Sequence, residues 1–179
     1  MTIDVAEEHR MIIDLVEKFV DNELMPLERA VMEREASGEP VSLIKEEEVT
    51  LLAKCKELGL WALDAPEPLG GAELPTTVML AIQERLRRTV TPFIFPPDSP
   101  NLHMLMDVAT SEQKEKYLRP YAQGEMKSCI AISEPGAGGD PAQMRTRAVR
   151  EENEWVINGR KIWVSNVPSA DFTILMAVT

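Results

Sequence analysis

The spacing of apolar residues changes from a helical period to a strand period near Gly124, and this change constrains the fold more than any other feature of the sequence. In residues 12–20 the apolar side chains recur every three or four positions, as on one face of an α-helix. Beyond Gly124 the apolar runs are short and alternate, which is typical of strands. The sequence therefore predicts an α+β chain, with an N-terminal all-α helical bundle in residues 1–125 and an antiparallel β-domain in residues 126–179.

Proline and glycine mark the ends of the predicted helices. The first helix should end or kink just before Pro26, because proline lacks a backbone donor and clashes with the preceding turn. A second helix over about residues 42–58 should stop at the glycine that follows, and a third should open at Pro75. Two more helices are expected, one starting near residue 100 and one opened by a capping box at residues 110–113.

Short segments of the second part have strand character. Residues 128–132 form one predicted strand, and residues 155–157 and 160–164 flank Asn158-Gly159, the strongest two-residue hairpin signal. Residues 172–178 are nearly all apolar, which predicts a strand covered on both faces. These strands are too few to complete a sheet, so we expect a truncated β-domain that continues beyond the last residue.

The net charge of -11 is unevenly distributed along the chain. Residues 126–179 contain equal numbers of basic and acidic side chains, so residues 1–125 carry the whole excess of negative charge. Such a surface repels nucleic acid and excludes it as a partner. No apolar stretch approaches the ~20 residues that cross a bilayer, and no targeting signal is visible, so we expect a cytoplasmic protein without a membrane span. Two cysteines without ligand spacing predict no metal site.

The stretch SEPGAGGD, residues 133–140, places three glycines within four positions directly after an apolar run. A phosphate-binding P-loop requires Gly-Lys-Ser/Thr, whereas Asp140-Pro141 follow the last glycine here. The dinucleotide fingerprint also fails, because Pro141 stands where its third glycine belongs and no βαβ crossover follows. A turn remains, leading into a short helix capped by Asp140, whose free amides suit an anion. A tight turn without any ligand stays open as the alternative.

Two linked motifs resemble the acyl-CoA dehydrogenase family. SEPGAGGD is similar to the glycine loop of that family's middle domain, and INGRKIWVSN, residues 157–166, is similar to a segment that follows the loop at about this separation. EKYLRPYAQGE and LGLWALDAPEPLGGAEL resemble segments of the family's N-terminal helical domain. The resemblance covers nearly the whole chain, but only the helical domain and the opening of the middle β-domain.

In this family the two motifs bind FAD and the thioester end of a CoA substrate. The resemblance implies that residues 130–139 line the flavin and its pyrophosphate, with Ser133 at the pyrimidine edge, and that residues 163–165 complete the flavin wall. Strand alternation would place Trp163 and Ser165 on one face and Val164 on the other. The implied cofactor-binding residues are Ile130, Ala131, Ile132, Ser133, Gly136, Gly138, Gly139, Trp163, Val164 and Ser165.

Gly139 departs from the family pattern, which usually has serine at this position of the loop. Only its backbone amide is left to contact the substrate, for which Gly139 is the implied binding residue. Ile130 also stands where an aromatic residue is common. These departures keep flavin binding as the expectation but leave a flavin oxidase or monooxygenase open as an alternative activity.

The resemblance implies α,β-dehydrogenation of an acyl-CoA, in which a carboxylate base removes the α-proton and the β-hydrogen leaves as hydride. The family's base lies in a C-terminal helical domain, so no catalytic residue is assigned in residues 1–179, and this chain alone should be inactive. The family also implies a role in fatty acid metabolism, electron-transferring flavoprotein as acceptor, and a homo-oligomer, dimer or tetramer. The alternative from another class is a non-catalytic helical interaction module or split subunit with the same fold.

Overall fold

The computed structural model describes residues 6–179. The chain folds as two compact units, Met1–Ser99 and Pro100–Thr179. The predicted fold class, helical first and strand-bearing afterwards, is confirmed. The division into domains at residue 125 stays a prediction, as does the cytoplasmic location, which rests partly on residues 1–5 outside the described part. In residues 6–179 no helix has both the length and the apolarity to cross a bilayer.

The first unit begins with an amphipathic helix that Pro26 disrupts as predicted. Helix α1, Glu7–Phe19, widens into a π-type turn at Val20–Leu24 and then tightens into a 3-10 turn at Met25–Leu27. Pro26 lies inside that last turn, where its missing donor and its ring do not fit a regular α-helix. Helix α2, Glu28–Ala36, then continues the chain.

Two further helices complete this unit. Helix α3, Lys45–Leu58, starts three residues later than predicted and ends where Gly59 takes up a left-handed φ of 70°. Helix α4, Thr76–Leu86, follows Pro75 as expected. The end of α4 is held to α1 because Arg88 lies 2.7 Å from the Glu17 carboxylate, and Arg85 lies 3.6 Å from it.

The core of the first unit forms around three phenylalanines. Phe19 at the end of α1 packs against Phe93 and Phe95, with ring centroids 5.5 to 5.6 Å apart. Phe93 and Phe95 alternate with exposed Ile94, so the proline-rich connection that carries them has one buried face. The α1, α3 and α4 residues of this core include Val16, Leu51, Cys55, Val78, Ile82 and Leu86.

The second unit opens with helices and continues into strands. Helix α5 spans Ser99–Val108, and the predicted capping box is present, with Thr110 and Gln113 bonding each other's backbone amides. The capped helix runs through α6, Ser111–Gln113, a π-type turn, Lys114–Leu118, and α7, Arg119–Gln123. Gly124 ends it with a φ of 77°.

The strands of residues 6–179 form two separate pairs. Strand β1, Ser128–Ala131, is paired in parallel with β4, Phe172–Leu175. In their register Ser128 lies opposite Phe172, and Ala131 lies opposite Leu175. Strand β2, Arg147–Glu151, is antiparallel to β3, Glu154–Asn158. The parallel pair differs from the antiparallel domain that was expected, because alternation within a strand does not determine the direction of its partner.

The hairpin predicted at Asn158-Gly159 is wrong. The chain turns instead at Glu152 and Asn153, between β2 and β3, where Glu152 has a left-handed φ of 51°. Residues 160–164 are not a strand. Gly159 serves another purpose, since a Cβ atom there would lie 2.7 Å from the Thr146 Cα atom. Glycine is needed for a close approach of two backbone segments and not for a turn.

We expect Gly71→Ala to lower the free energy of unfolding of the first unit by about 1–3 kcal/mol, the usual cost of overpacking. A Cβ atom at Gly71 would lie 2.6 Å from the carbonyl oxygen of Ala62. The exposed neighbour Ala72 provides the control, because Ala72→Ser fills no occupied space. Urea unfolding at neutral pH measures both, and equal midpoints for the two variants would contradict the close approach.

Candidate functional site

The glycine loop forms a tight turn immediately after β1. The Glu134 amide donates to the Ala137 carbonyl at 2.8 Å, and the Ala137 amide donates back to the Glu134 carbonyl at 3.1 Å. Asp140 then caps the 3-10 turn Pro141–Gln143, its carboxylate accepting from the Ala142 amide at 3.1 Å. The predicted cap is therefore confirmed, and the loop is closed at both ends.

The carboxylate of Glu134 points inward and gathers four groups of the second unit. Its Oε2 accepts from the Arg145 amide at 2.6 Å, and its Oε1 accepts from the Thr146 amide at 2.9 Å. The Lys161 ammonium donates to the same Oε1 at 2.9 Å. The Thr146 hydroxyl is buried without a hydrogen bond of ordinary geometry, although it too contributes to stabilising the carboxylate. Glu134 thus joins the loop, the residues just before β2 and the segment that follows β3.

These partners strongly favour the ionised form of Glu134. The Thr146 side chain, the Lys161 ammonium and the Arg145 amide lower the pKa of the carboxyl from 4.5 to about 2, against the opposing effect of desolvation. The side chains of Glu134 and Lys161 are only 7% and 8% exposed, so water does not compete for these contacts. Glu134 is therefore a fixed acceptor and is unsuited to exchange protons near neutral pH.

A second segment, residues 159–165, is fastened beside the loop. The Ile162 amide donates to the Ser133 carbonyl at 2.9 Å, and the Lys161 ammonium donates to the Ile132 carbonyl at 2.9 Å. The two predicted motifs are thus adjacent in space. They meet through Ser133, the first residue of the glycine loop, and Ile162, the residue before Trp163.

Trp163 is held in an unusual backbone conformation. Its φ is 58°, in the left-handed region that bulky residues rarely adopt, and its indole is 87% exposed. Residues 163–165 are not the predicted strand, because the left-handed Trp163 interrupts extended backbone, and the opposite faces expected for Trp163 and Val164 stay a prediction. Val164 is half-buried and Ser165 is exposed.

The remaining predicted residues lie along β1 and the turn. Ala131 is buried, whereas Ile130, Ile132 and Ser133 are half-buried, and Gly136, Gly138 and Gly139 are exposed. Sequence reasoning missed the residues that fasten the site, which are Glu134, Thr146 and Lys161. The only available signal was an acidic residue inside a glycine loop and a lysine inside the second motif.

Packing within the chain does not explain the three loop glycines. A Cβ atom built on Gly136, Gly138 or Gly139 meets no heavy atom within 4 Å, and none of the three has a left-handed φ. Gly159 and Gly71 are different, since protein atoms occupy the space beside both. The bare backbone of the loop therefore leaves room for something other than this chain. No group of metal-ligating side chains occurs in residues 6–179.

Two family models match the chain. Residues 6–125 match the acyl-CoA dehydrogenase, N-terminal domain, and residues 129–179 match the acyl-CoA dehydrogenase, middle domain. The chain therefore belongs to the acyl-CoA dehydrogenase family, as the two motifs indicated.

Individual relatives agree with this assignment. The (R)-benzylsuccinyl-CoA dehydrogenase of Thauera aromatica is 36% identical over 188 residues, which cover 100% of this chain and 46% of that protein. The mitochondrial short-chain specific acyl-CoA dehydrogenase of Rattus norvegicus is 31% identical over 181 residues, or 99% of this chain and 42% of that protein. The chain spans less than half the length of these relatives.

Solved structures share the fold. The glutaryl-CoA dehydrogenase of Mycobacterium smegmatis, in complex with FADH2, has a TM-score of 0.79 and 26% sequence identity. The match covers 97% of this chain and 43% of that one.

We expect the stability that Glu134 contributes to depend on acid pH. Because its pKa is about 2 in the folded chain and 4.5 ordinarily, that contribution is complete above pH 4.5 and is lost as the pH falls towards 2. The difference in unfolding free energy between the wild type and Glu134→Gln should shrink in this interval. A wild-type carboxyl resonance of Glu134 that titrates near 4.5 would contradict the buried ion pair, and this measurement does not require the variant to fold.

We expect Trp163→Asn to leave the free energy of unfolding of this chain unchanged or raise it by up to about 1 kcal/mol. Asparagine tolerates the left-handed region, and the exposed indole loses little burial. Trp155→Asn in β3 is the control and should lose up to about 1 kcal/mol, because asparagine disfavours strands. A larger loss at Trp163 than at Trp155 in urea unfolding would show that this indole supports the fold.

Proposed function

We propose that this chain is the N-terminal, FAD-binding part of an acyl-CoA dehydrogenase that acts on a CoA thioester. One observation carries the proposal: hydrogen bonds join the segment of the three glycines, whose added Cβ atoms would meet no protein atom, to the segment that carries the exposed, left-handed Trp163. A large flat ligand with a charged diphosphate suits that combination, because it needs both a bare backbone and an aromatic surface.

Each side of this site offers a different kind of contact. The amides of Gly136, Gly138 and Gly139 would hold the pyrophosphate, and Ser133 would offer its hydroxyl to the polar edge of the flavin. The Trp163 indole, with Val164 and Ser165, would cover the ring. Ile130, Ala131 and Ile132 would support the loop from β1. Gly139 would contact the substrate through its amide, since it has no side chain there.

The chemistry implied is the removal of two hydrogens from adjacent carbons of the acyl group. When bound, FAD would accept the β-hydrogen as a hydride while a base takes the α-proton. Glu134 is not that base, because its carboxylate is saturated with donors and its pKa is about 2. We assign no catalytic residue within this chain. The role that we propose for the chain is to hold the cofactor.

The names of relatives support the substrate class and leave its acyl group to experiment. One relative acts on benzylsuccinyl-CoA and another on short-chain acyl-CoA, so the shared feature is the CoA thioester. We therefore propose a CoA thioester as the substrate class. The proposal is not restricted to the substrates of fatty acid metabolism. Electron-transferring flavoprotein as acceptor, a homo-oligomeric state and a cytoplasmic location are further parts of the proposal.

We expect Gly136→Ala and Gly138→Ala to separate cofactor binding from folding. Each substitution should leave the free energy of unfolding of the apoprotein unchanged or raise it by about 0.4–1 kcal/mol, because alanine restricts the unfolded chain and meets no obstacle. Each should weaken FAD binding roughly tenfold or more, the effect of forcing a methyl group into a filled site. Flavin fluorescence quenching measures the affinity.

Gly159→Ala is the matched comparison for these two variants. It should lose stability, because its Cβ atom would lie 2.6 Å from the Thr146 Cβ atom. If Gly136→Ala and Gly138→Ala bind FAD as tightly as the wild type does, the loop does not hold the cofactor, and the tight turn without a ligand is the correct interpretation.

Anaerobic reduction tests the reaction on the product of the complete gene. We expect a yellow protein whose flavin absorbance bleaches when butyryl-CoA or benzylsuccinyl-CoA is added, with residues 1–179 alone giving no turnover. Hydrogen peroxide formed with oxygen as sole acceptor would favour the oxidase alternative. A colourless protein that takes up no FAD would favour the non-catalytic interaction module.

A further inference from the structure

The ion pair between Glu134 and Lys161 is buried, although burial makes it a costly way to stabilise a fold. Removing both charges from water carries a penalty that their attraction only partly offsets, and apolar pairs of similar volume are often at least as stable. Both side chains are more than nine-tenths buried, and their charges are 2.9 Å apart. Such a pair is better suited to specifying one arrangement of the chain than to strengthening it.

The contacts of the pair define which arrangement it specifies. Lys161 donates to two groups beside the glycine turn, the Ile132 carbonyl and the Glu134 carboxylate. Glu134 in turn binds the two successive amides of Arg145 and Thr146, just before β2. A single substitution at either residue therefore leaves buried donors or acceptors without partners on the other side.

Lys161 of this pair also lies close in sequence to the strained residue Trp163. Lys161 is two positions before Trp163, and the Ile162 amide between them bonds to the Ser133 carbonyl. A left-handed tryptophan persists only where the surrounding structure holds it in place. The described contacts of Lys161 and Ile162 are the fixed points immediately before it.

We propose that Glu134 and Lys161 are positioning residues that set the glycine loop against Trp163, so that both segments meet the cofactor at once. This inference rests on the proposed FAD site, but it assigns to the pair a role beyond direct cofactor contact. Neither residue needs to touch the flavin. Loss of either charge lets the two segments separate, and binding weakens while the fold persists.

The test compares Glu134→Gln and Lys161→Met with Lys161→Arg, which keeps the charge, in the product of the complete gene. Thr110→Ala is the matched control, because it removes a helix cap of the second unit and lowers stability without touching the loop. Two readouts are needed: hydrogen exchange at the Ile162 amide in the apoprotein, and the dissociation constant for FAD.

We expect Lys161→Met and Glu134→Gln to speed exchange at Ile162 and to weaken FAD binding about tenfold or more, as when the supporting partners of a binding site are lost. Lys161→Arg should recover part of both effects, and Thr110→Ala should change neither. The double variant should bind FAD no more weakly than the single variant that binds it less tightly, because the two residues act together.

Three results would overturn the positioning role. Unchanged exchange at Ile162 would show that the pair does not fasten the segments. Faster exchange with wild-type FAD affinity would show that the fastening does not serve the cofactor. An equal loss of affinity in Thr110→Ala would reduce the effect to general stability. A wild type that takes up no FAD would instead overturn the proposed function, and the exchange data alone would then judge the fastening.

Discussion

The buried carboxylate of Glu134 is the interaction on which the candidate site depends. It brings together the glycine loop, the residues just before β2 and the segment after β3, which are separated along the chain. The pairing of β2 with β3 places Arg147 opposite Asn158 and so brings two of these pieces together, but in residues 6–179 no strand pairing joins the glycine loop to them. The Glu134 side chain and the backbone bond from Ile162 to Ser133 attach the loop to these pieces, and the first of these makes the position of the loop sensitive to one charge.

The same arrangement combines rigidity with exposure. The loop is closed by its own backbone bonds and by the Asp140 cap, yet its glycines face open space. Trp163 is exposed although its backbone is strained. Strain and exposure of an aromatic residue do not stabilise an isolated chain, and their occurrence together supports the proposal that this surface meets a ligand. The family membership of the chain makes a flavin the ligand that we propose.

Local signals predicted the helical part well. Gly59 and Gly124 end helices in left-handed conformations, and Thr110 forms the expected capping box, because each of these effects depends on a few neighbouring residues. The ion pairs of Arg85 and Arg88 with Glu17 on α1 were not foreseen, since that contact joins distant parts of the chain.

The strand region was predicted less well, for a related reason. Asn158-Gly159 has the composition of a hairpin turn, but Gly159 is required by the backbone of Thr146, a tertiary contact that a dipeptide does not reveal. The parallel pairing of β1 with β4 and the buried pair of Glu134 with Lys161 likewise depend on long-range contacts. The loop and the second motif were predicted to meet, and the bond from Ile162 to Ser133 shows how they do.

The most direct measurement is a crystal structure of the complete gene product with FAD bound. We expect the isoalloxazine ring against the Trp163 indole, the pyrophosphate on the amides of Gly136, Gly138 and Gly139, and the Glu134 carboxylate still bonded to Lys161. A flavin bound elsewhere, with the glycine loop filled by side chains of the same protein, would contradict the proposed site.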